Sequence, residues 1–312
     1  MTKKLYPDFH KALLDQTLYP SATRRIKFEE THHSYLYKTG DHVYKIPKPG
    51  PLFSSLAVKE VYMADALRLG KLWAGDCYEA VVPVLRRPTG FALAGEGEIA
   101  DYALRMRQLS PHYFGDELVA GGKLNATVLG RVARFLADQH QAHPVGEHAA
   151  ELGHPEHFRS IFEEVTYQVK KYIGQTLSEA MFEIIMRPVE RFIDEGRKLF
   201  LRRQKRERIV EGHGAFVLEH VYQKGKDVLA ISPLAAPQKF RLLDAANDVA
   251  TFRNSLHLAG ALEAEDVFLK RYSSAAHDRD LDKIVPAYEV MHALRSGLEQ
   301  CEWRVGTPEG SP

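Results

Sequence analysis

The sequence predicts an α+β protein of two lobes, a small N-terminal β lobe with one helix and a larger, mainly α-helical C-terminal lobe. With 312 residues, 45% hydrophobic and 27% charged, the chain has the composition of a globular protein and is long for one small core. Short β-type runs with turn signals fill roughly the first hundred residues, and helical periods dominate from Leu124 onward. We expect lobes over 1–108 and 109–304 and a disordered tail over 305–312.

The first lobe is predicted to be a small mixed sheet with one helix. Two strands surround the Thr-Gly-Asp turn at 39–41, with Tyr35, Tyr37 and Tyr44 alternating as core-facing strand residues do. After the Pro-Gly-Pro break at 49–51, the stretch SLAVKEVYMADALRLGKL predicts an amphipathic helix. Its predicted apolar face consists of Leu56, Val61, Ala64 and Leu67. The runs YEAVVPVL and DYALRMRQL predict two further strands.

The second lobe is predicted to be helical around a loop. Three stretches have helical periodicity: TVLGRVARFLADQHQAH, FRSIFEEVTYQVKKYIGQ and EAMFEIIMRPVERFIDEGRKLFLRRQKRER. The loop and short extended runs of IVEGHGAFVLEHVYQKGKDVLAISP follow them. Further helices are expected near 243–258 and 281–300.

Bulk properties exclude several classes of partner. A formal net charge of +1 gives no global reason to expect nucleic acid or a membrane surface. The sequence begins without an apolar signal core and contains no apolar stretch of about 18 residues, so we expect a cytoplasmic protein. The two cysteines, Cys77 and Cys301, are too few for a disulfide scaffold and lack a metal-binding spacing.

Two other local signals favour ordinary surface chemistry. The run from Arg197 to Arg208 carries seven basic residues, but it includes Glu207 and lies on a predicted helix, which favours a solvated face over a nucleic-acid site. A group of histidines lacks the carboxylate or cysteine partners of a metal site and is expected on the polar surface. These are His140, His143, His148, His154 and His157.

Successive segments resemble one known family over most of the chain. The segments THHSYLYKTGDHVYKIPKP, FSSLAVKEVYMADALRLG, EGHGAFVLEHVY and FRLLDAANDVATF look like parts of the aminoglycoside phosphotransferase-like proteins of bacteria, which have a protein-kinase-like fold. The resemblance runs from about Leu18 to Gln300. No fused P-loop kinase domain is present in this sequence, because G-x-x-x-x-G-K-[ST] does not occur.

The resemblance implies a nucleotide site around a strand lysine. Lys45 in VYKI occupies the position of the lysine that grips nucleotide phosphates in the family, so ATP or another nucleotide is the expected cofactor. A helix carboxylate normally pairs with that lysine, and Asp65 is the best-registered candidate, with Glu60 second. An ordinary solvated lysine on an edge strand is the alternative interpretation of Lys45.

The family's catalytic loop reads H-G-D-x-x-x-x-N, and here it is changed at the catalytic position. His213 and Gly214 are retained, but Ala215 stands in place of the aspartate that accepts the substrate proton. His220 stands in place of the metal-binding asparagine. An alanine side chain can neither accept a proton nor orient a hydroxyl group.

The resemblance also places a metal-binding aspartate in the following strand and turn, and that residue is replaced. Alignment back from Phe240 puts Ser232 at its position and Ala235 at the position of a second carboxylate of the same turn. With Ser232 there, Mg²⁺ binding is in doubt and no metal ligand is assigned.

Other parts of the family pattern remain. Asp244 and Asp248 match the helix that supports the catalytic loop, where a carboxylate accepts backbone N–H groups. His213 is expected to be a hydrogen-bonded core residue of that loop rather than a catalyst.

Three hypotheses follow for function. The first is a catalytically degenerate, pseudokinase-like protein that binds a nucleotide, a small molecule or a protein partner. The second is an active phosphotransferase or nucleotidyltransferase with a rearranged site that uses Glu219, His220 or Asp244. The third is a structural interaction module whose cleft is closed by side chains.

Overall fold

The computed structural model describes residues 6–20 and 25–306. Its internal contacts divide the chain into two units, one ending at Ser110 and the other beginning at Pro111. Of the predicted tail, residues 305 and 306 end the last helix, and 307–312 lie outside the described residues.

Six strands form one antiparallel sheet in the described part of the first unit. They are β1 (Lys27–Glu30), β2 (Ser34–Lys38), β3 (His42–Pro47), β4 (Tyr78–Arg87), β5 (Gly90–Ala92) and β6 (Glu98–Arg107). Their order is β1-β2-β3-β6-β4-β5, and the predicted hairpin pairs Tyr37 with Tyr44. The outer strands β1 and β5 were not predicted, because they are short and lack a clear alternation.

One face of this sheet carries an aromatic core. Tyr35, Tyr37, Tyr44 and Ile46 are buried there. They belong to the same cluster as four buried residues that precede the sheet, which are Phe9, Leu13, Tyr19 and Ile26. The tyrosines therefore serve as core residues, as their alternation predicted.

In the described part of this unit the one α-helix, α1 (Leu56–Ala74), is capped by Ser55, whose side chain accepts the N–H of Val58. The predicted apolar face is wrong, because Leu56 and Val61 are exposed. The buried face instead includes Lys59, Met63, Ala66, Leu69, Gly70 and Trp73. Apolar residues occur on both sides of this helix, so periodicity alone selected the wrong one.

Helices make up most of the described part of the second unit. They are α2 (Gly115–Ala120), α3 (Ala126–Ala142), α4 (Ala149–Leu152), α5 (Pro155–Val169), α6 (Glu179–Glu195), α7 (Arg197–Lys205), α8 (Ala246–Leu258), α9 (Leu262–Ala275) and α10 (Leu281–Gly306). Two small antiparallel pairs interrupt them. The first joins β7 (Ile209–Glu211) to β10 (Leu242–Asp244), and the second joins β8 (Val221–Lys224) to β9 (Asp227–Ala230).

The basic run of α7 is only partly the solvated face that the sequence suggested, since Arg197, Lys198, Lys205 and Arg206 are exposed. Arg203 is 1% exposed and binds Asp244 at 2.6 and 2.8 Å and Asp278 at 2.8 Å. Arg202 and Arg206 bind Asp280. Acidic residues distant in sequence bind Arg202, Arg203 and Arg206, and a local pattern does not show these partners.

Among the described residues, no helix combines the length and the apolar character that crossing a membrane requires.

Candidate functional site

The loop after β7 is held by one carboxylate. Asp248, in the first turn of α8, accepts the backbone N–H of His213 at 2.6 Å and that of Gly214 at 2.7 Å. Hydrogen bonds to a buried carboxylate are stronger than those between neutral groups. Asp248 thus fixes the backbone immediately before Ala215.

Two glycines make this close approach possible. A Cβ at Gly212 would lie 2.6 Å from Oδ2 of Asp248. Gly214 has φ 74°, and a Cβ there would lie 2.9 Å from Cβ of Arg241. The Gly-x-Gly spacing is therefore required by the backbone geometry of the loop.

Buried histidines complete the surroundings of Asp248. His140 on α3 makes two contacts. Its Nε2 lies 3.1 Å from Oδ2 of Asp248, and its Nδ1 lies 2.7 Å from the hydroxyl oxygen of Tyr272. Burial alone would raise the pKa of Asp248, but the hydrogen bond and charge of His140, with His213, hold it below its ordinary value. Asp248 is therefore an ionised structural anchor.

His213 itself is a core residue of the loop. Its Nε2 donates to the carbonyl oxygen of Ile231 at 3.0 Å, and burial lowers its pKa to about 3. The ring is neutral at physiological pH. It joins the loop to the segment that follows β9.

His220 closes the loop on Ala215. Its Nδ1 lies 2.8 Å from the carbonyl oxygen of Ala215, and since a carbonyl only accepts, Nδ1 carries the hydrogen. The side chain of Glu219 beside it is exposed. At the catalytic position of the family pattern, the half-buried Ala215 presents only a methyl group.

Ser232 has an unusual backbone for its residue type. Its φ is 58°, in the left-handed region that glycine, asparagine and aspartate adopt more readily than serine. The adjacent backbone is fixed, since Ile231 N–H donates to the His220 carbonyl oxygen at 2.8 Å. In the same turn Ala235 is buried and supplies no ligand atom from its side chain.

Asp244 lies on β10, not on the helix where the sequence placed it. One of its oxygens also accepts the N–H of Ala246 at 2.8 Å, at the start of α8. Both oxygens bind Arg203. Asp244 supports the fold around the loop, and the N–H groups of the loop itself bind Asp248.

Lys45, in the first unit, alternates with Tyr44 and Ile46 and so faces away from the aromatic core. Its register partner on β6 is Leu104. The side chain is partly exposed. Desolvation of the ammonium group by burial lowers the pKa of Lys45 to about 8. At neutral pH most of the molecules still carry the positive charge.

The carboxylates of α1 lie toward its exposed side. Asp65 binds Arg68 at 2.8 Å, and Glu60 is exposed near Tyr102, whose pKa is raised by burial and by that carboxylate. The buried charge on α1 is instead Lys59.

The ammonium of Lys59 binds Oδ1 of Asp101 at 2.6 Å and the carbonyl oxygen of Pro47 at 2.9 Å. This pair joins α1 to β6 and to the end of β3, the strand that carries Lys45. This pair was not predicted, because a lysine at a helix position without clear periodicity predicts a surface residue.

The predicted polar surface of histidines is only partly correct. His140 is buried, His143 binds the carbonyl oxygen of Gln139 at 2.8 Å, and the side chain of His154 accepts the N–H of Glu156 at the start of α5. Over the described residues, no three His, Cys, Asp or Glu side chains are grouped to hold a metal.

The positions where the resemblance places magnesium ligands do not supply carboxylates in this chain. Mg²⁺ prefers oxygen ligands that include carboxylates, and the two expected positions carry Ser232 and Ala235. One ring nitrogen of His220 is already bound to the Ala215 carbonyl oxygen. No step through this metal follows from these residues.

No protein-family model matches the sequence, and no curated protein matches it. Solved structures do match. A choline/ethanolamine kinase family protein from Mesorhizobium loti aligns with a TM-score of 0.55 and 12% identity, over 96% of this chain and 88% of that one. Choline kinase from Cryptosporidium parvum Iowa II aligns with a TM-score of 0.50 and 11% identity, over 93% and 87%.

At these identities the likeness concerns the fold. A curled antiparallel sheet with one helix, followed by a mainly helical unit, is the arrangement of these structures. The chain has the protein-kinase-like fold that choline and ethanolamine kinases share.

Proposed function

We propose that this chain is a catalytically degenerate kinase-like protein that binds the phosphates of a nucleotide through Lys45 without transferring a phosphoryl group. One observation carries the proposal. The loop backbone is fully supported by Asp248, His213 and His220, while the positions for the base and the metal carry the side chains of Ala215 and Ser232.

The loss of chemistry follows from what these side chains lack. Removing a general base costs about 10²- to 10⁴-fold in rate, and Ala215 has no group that accepts a proton. Phosphoryl transfer also relies on a cation to neutralise the developing charge, and a serine hydroxyl is a weak ligand for it. One position serves proton transfer and the other serves cation binding, so both of these contributions to catalysis are weakened.

Lys45 is suited to bind an anion. Its low pKa reflects the cost of keeping a charge in a poorly solvated place, and an incoming phosphate would offset that cost. The ion pair of Lys59 with Asp101 fixes the end of β3 beside it, so the lysine is presented from a rigid strand. We infer binding that does not require a divalent metal.

The test is a pair of ATP titrations by isothermal calorimetry, one with excess EDTA and one with Mg²⁺. We expect similar affinities in both, and a loss of binding in Lys45→Ala. The matched control is Lys38→Ala, which removes a lysine on neighbouring β2 that pairs with Glu29. This control should bind ATP as the parent does.

Turnover decides whether the site is degenerate. The protein is incubated with radiolabelled ATP, Mg²⁺ or Mn²⁺ and a panel of hydroxylated small molecules, and labelled products are separated. Metal-dependent turnover that disappears in Lys45→Ala would contradict the proposal. Absence of ATP binding in the parent would contradict the nucleotide site and favour a purely structural module.

The contacts of Asp244 argue against its use in a rearranged active site. Both of its oxygens are bound to the buried Arg203, and one also binds the N–H of Ala246. A carboxylate held in this way is a poor proton acceptor, because protonation would leave a buried arginine less well neutralised.

A further inference from the structure

A positively charged groove lies on the second unit, along the first half of α3 and the later part of α9. It has a volume of about 440 Å³. Its lining consists of three small residues and three arginines. The lining residues are Ala126, Thr127, Gly130, Arg131, Arg134 and Arg271.

The packing of α3 against α9 fixes the shape of the groove. His140 and Tyr272 join the two helices through a hydrogen bond of 2.7 Å, next to Arg271 in sequence. A Cβ at Gly130 would lie 4.0 Å from Cδ of Arg271 and would meet no other atom within that distance. The glycine therefore leaves space under the arginine that a side chain would fill.

The arginines of the groove lack acidic partners. Within residues 6–20 and 25–306, no carboxylate lies within ion-pair distance of Arg131, Arg134 or Arg271. Arg131 donates to the carbonyl oxygen of Gly225, which orients its side chain. On α9, the carboxylates of Glu265 and Asp266 lie near Arg253.

The arginines of α7 differ from those of the groove, because they have acidic partners. On that helix Arg202 binds Asp280, and Arg203 binds Asp244 and Asp278. Three guanidinium groups around one groove repel one another unless an anion lies between them. The net charge of the chain is only +1, so the positive charge is local.

We propose that this groove binds a small molecule that carries two or more phosphate groups. A guanidinium group can donate two parallel hydrogen bonds to the oxygens of one phosphate. Three guanidinium groups can therefore bind more than one phosphate. The volume lies in the range of small-molecule sites, about 300–1,000 Å³. An extended nucleic acid would require a longer basic track than these few residues supply.

The site is independent of the proposed nucleotide function, because Lys45 belongs to the other unit of the chain. The probe is sodium tripolyphosphate, titrated by calorimetry into full-length protein that carries Lys45→Ala. This background removes the proposed nucleotide contact, so failure of one proposal leaves the other intact. We expect binding that weakens as salt is raised.

Three variants in that background test the groove. Arg134→Gln combined with Arg271→Gln should weaken binding at least about tenfold, because charge-assisted hydrogen bonds are lost. Gly130→Met should weaken it similarly by filling the groove while keeping every charge. The control Arg187→Gln removes one positive charge from the exposed face of α6 and should leave affinity unchanged.

Several outcomes would overturn the proposal. These are a Kd weaker than about 1 mM at low salt, unchanged affinity in both groove variants, or an equal loss in Arg187→Gln. Tighter binding of a single-stranded oligonucleotide than of tripolyphosphate, lost in the same variants, would assign the surface to a macromolecule instead. Urea unfolding of each variant confirms that the fold is retained.

Discussion

The carboxylate of Asp248 accepts the backbone N–H of His213 at 2.6 Å across 35 residues of sequence. Asp248 also accepts the backbone N–H of Gly214, so it binds the loop only through backbone atoms of the loop. The side chain at position 215 takes no part in these contacts. These two hydrogen bonds therefore do not depend on the side chain at position 215.

Asp248→Asn should destabilise the protein by about 3 kcal/mol, because an amide can accept through one atom only and leaves a buried N–H group without its charged partner. Urea unfolding measures the loss. Asp65→Asn, which affects a pair with the half-exposed Arg68, should cost no more than about 1 kcal/mol. Equal losses in the two variants would show that Asp248 does not anchor the loop.

Removing one partner of the Lys59–Asp101 pair should be more harmful than removing both. Lys59→Met leaves a buried carboxylate and should cost about 3–5 kcal/mol, and Asp101→Leu should cost a similar amount. The double variant should recover part of the loss, because no unpaired charge remains. Strict additivity of the two single losses in urea unfolding would contradict the coupling.

Stability should fall as pH drops below neutrality, because buried histidines resist protonation. Burial lowers the pKa of both His213 and His292 to about 3, against an ordinary value of 6.5. Between these values the unfolded chain binds protons that the folded chain does not. Each histidine should therefore remove up to about 1.4 kcal/mol per pH unit as pH falls from 6.5 toward 3.

Urea unfolding at pH 7, 6 and 5 measures this slope. His292→Gln keeps a donor near Asn247. It should reduce the dependence of the unfolding free energy on pH by the contribution of one histidine. A slope that is the same in His292→Gln and in the parent would show that His292 is not protonated on unfolding in this range.

Nucleotide affinity should decline as pH rises through the pKa of Lys45, about 8, because only the protonated amine attracts phosphate. Titrations of ATP with EDTA between pH 6.5 and 9.5 follow the decline. In Lys45→Arg the guanidinium stays charged, so any remaining affinity should be independent of pH in this range. A parent affinity that stays flat up to pH 9.5 would exclude Lys45 as the phosphate contact.

Restoring two carboxylates should create a metal site within the second unit. The double variant Ala215→Asp with Ser232→Asp should bind Mn²⁺ more tightly than the parent, as measured by electron paramagnetic resonance of free Mn²⁺. The left-handed backbone at position 232 favours aspartate over serine, so the variant should fold. Equal Mn²⁺ affinity in the parent and the double variant would contradict the assignment of these two positions.

The β2–β3 hairpin and most helices were predictable because their signals are local. Alternating tyrosines around Thr-Gly-Asp and periods of three and four are readable within short windows. Helix α9 was not predicted, since only Phe268 and Tyr272 of its residues are buried and its apolar pattern is weak.

The errors share a physical cause, which is contact between residues that are distant in sequence. The buried positions of Lys59 and Arg203 depend on Asp101, Asp244 and Asp278, and no local pattern links them. A charged residue at a helix position predicts solvent exposure until its partner is known. A motif places Ala215 in the loop, but no motif predicts the hydrogen bond from His220 to its carbonyl oxygen.

The ion pairs of Arg203 also bear on the order in which the chain is made. Asp278 follows Arg203 by 75 residues, so a ribosome releases the arginine well before this partner. Until then Asp244 alone binds the guanidinium, and closing the core around α7 and β10 would bury the Nη1 group of Arg203 without the hydrogen bond that Asp278 accepts. The second unit should therefore complete its folding only after the segment beyond α9 has left the exit tunnel.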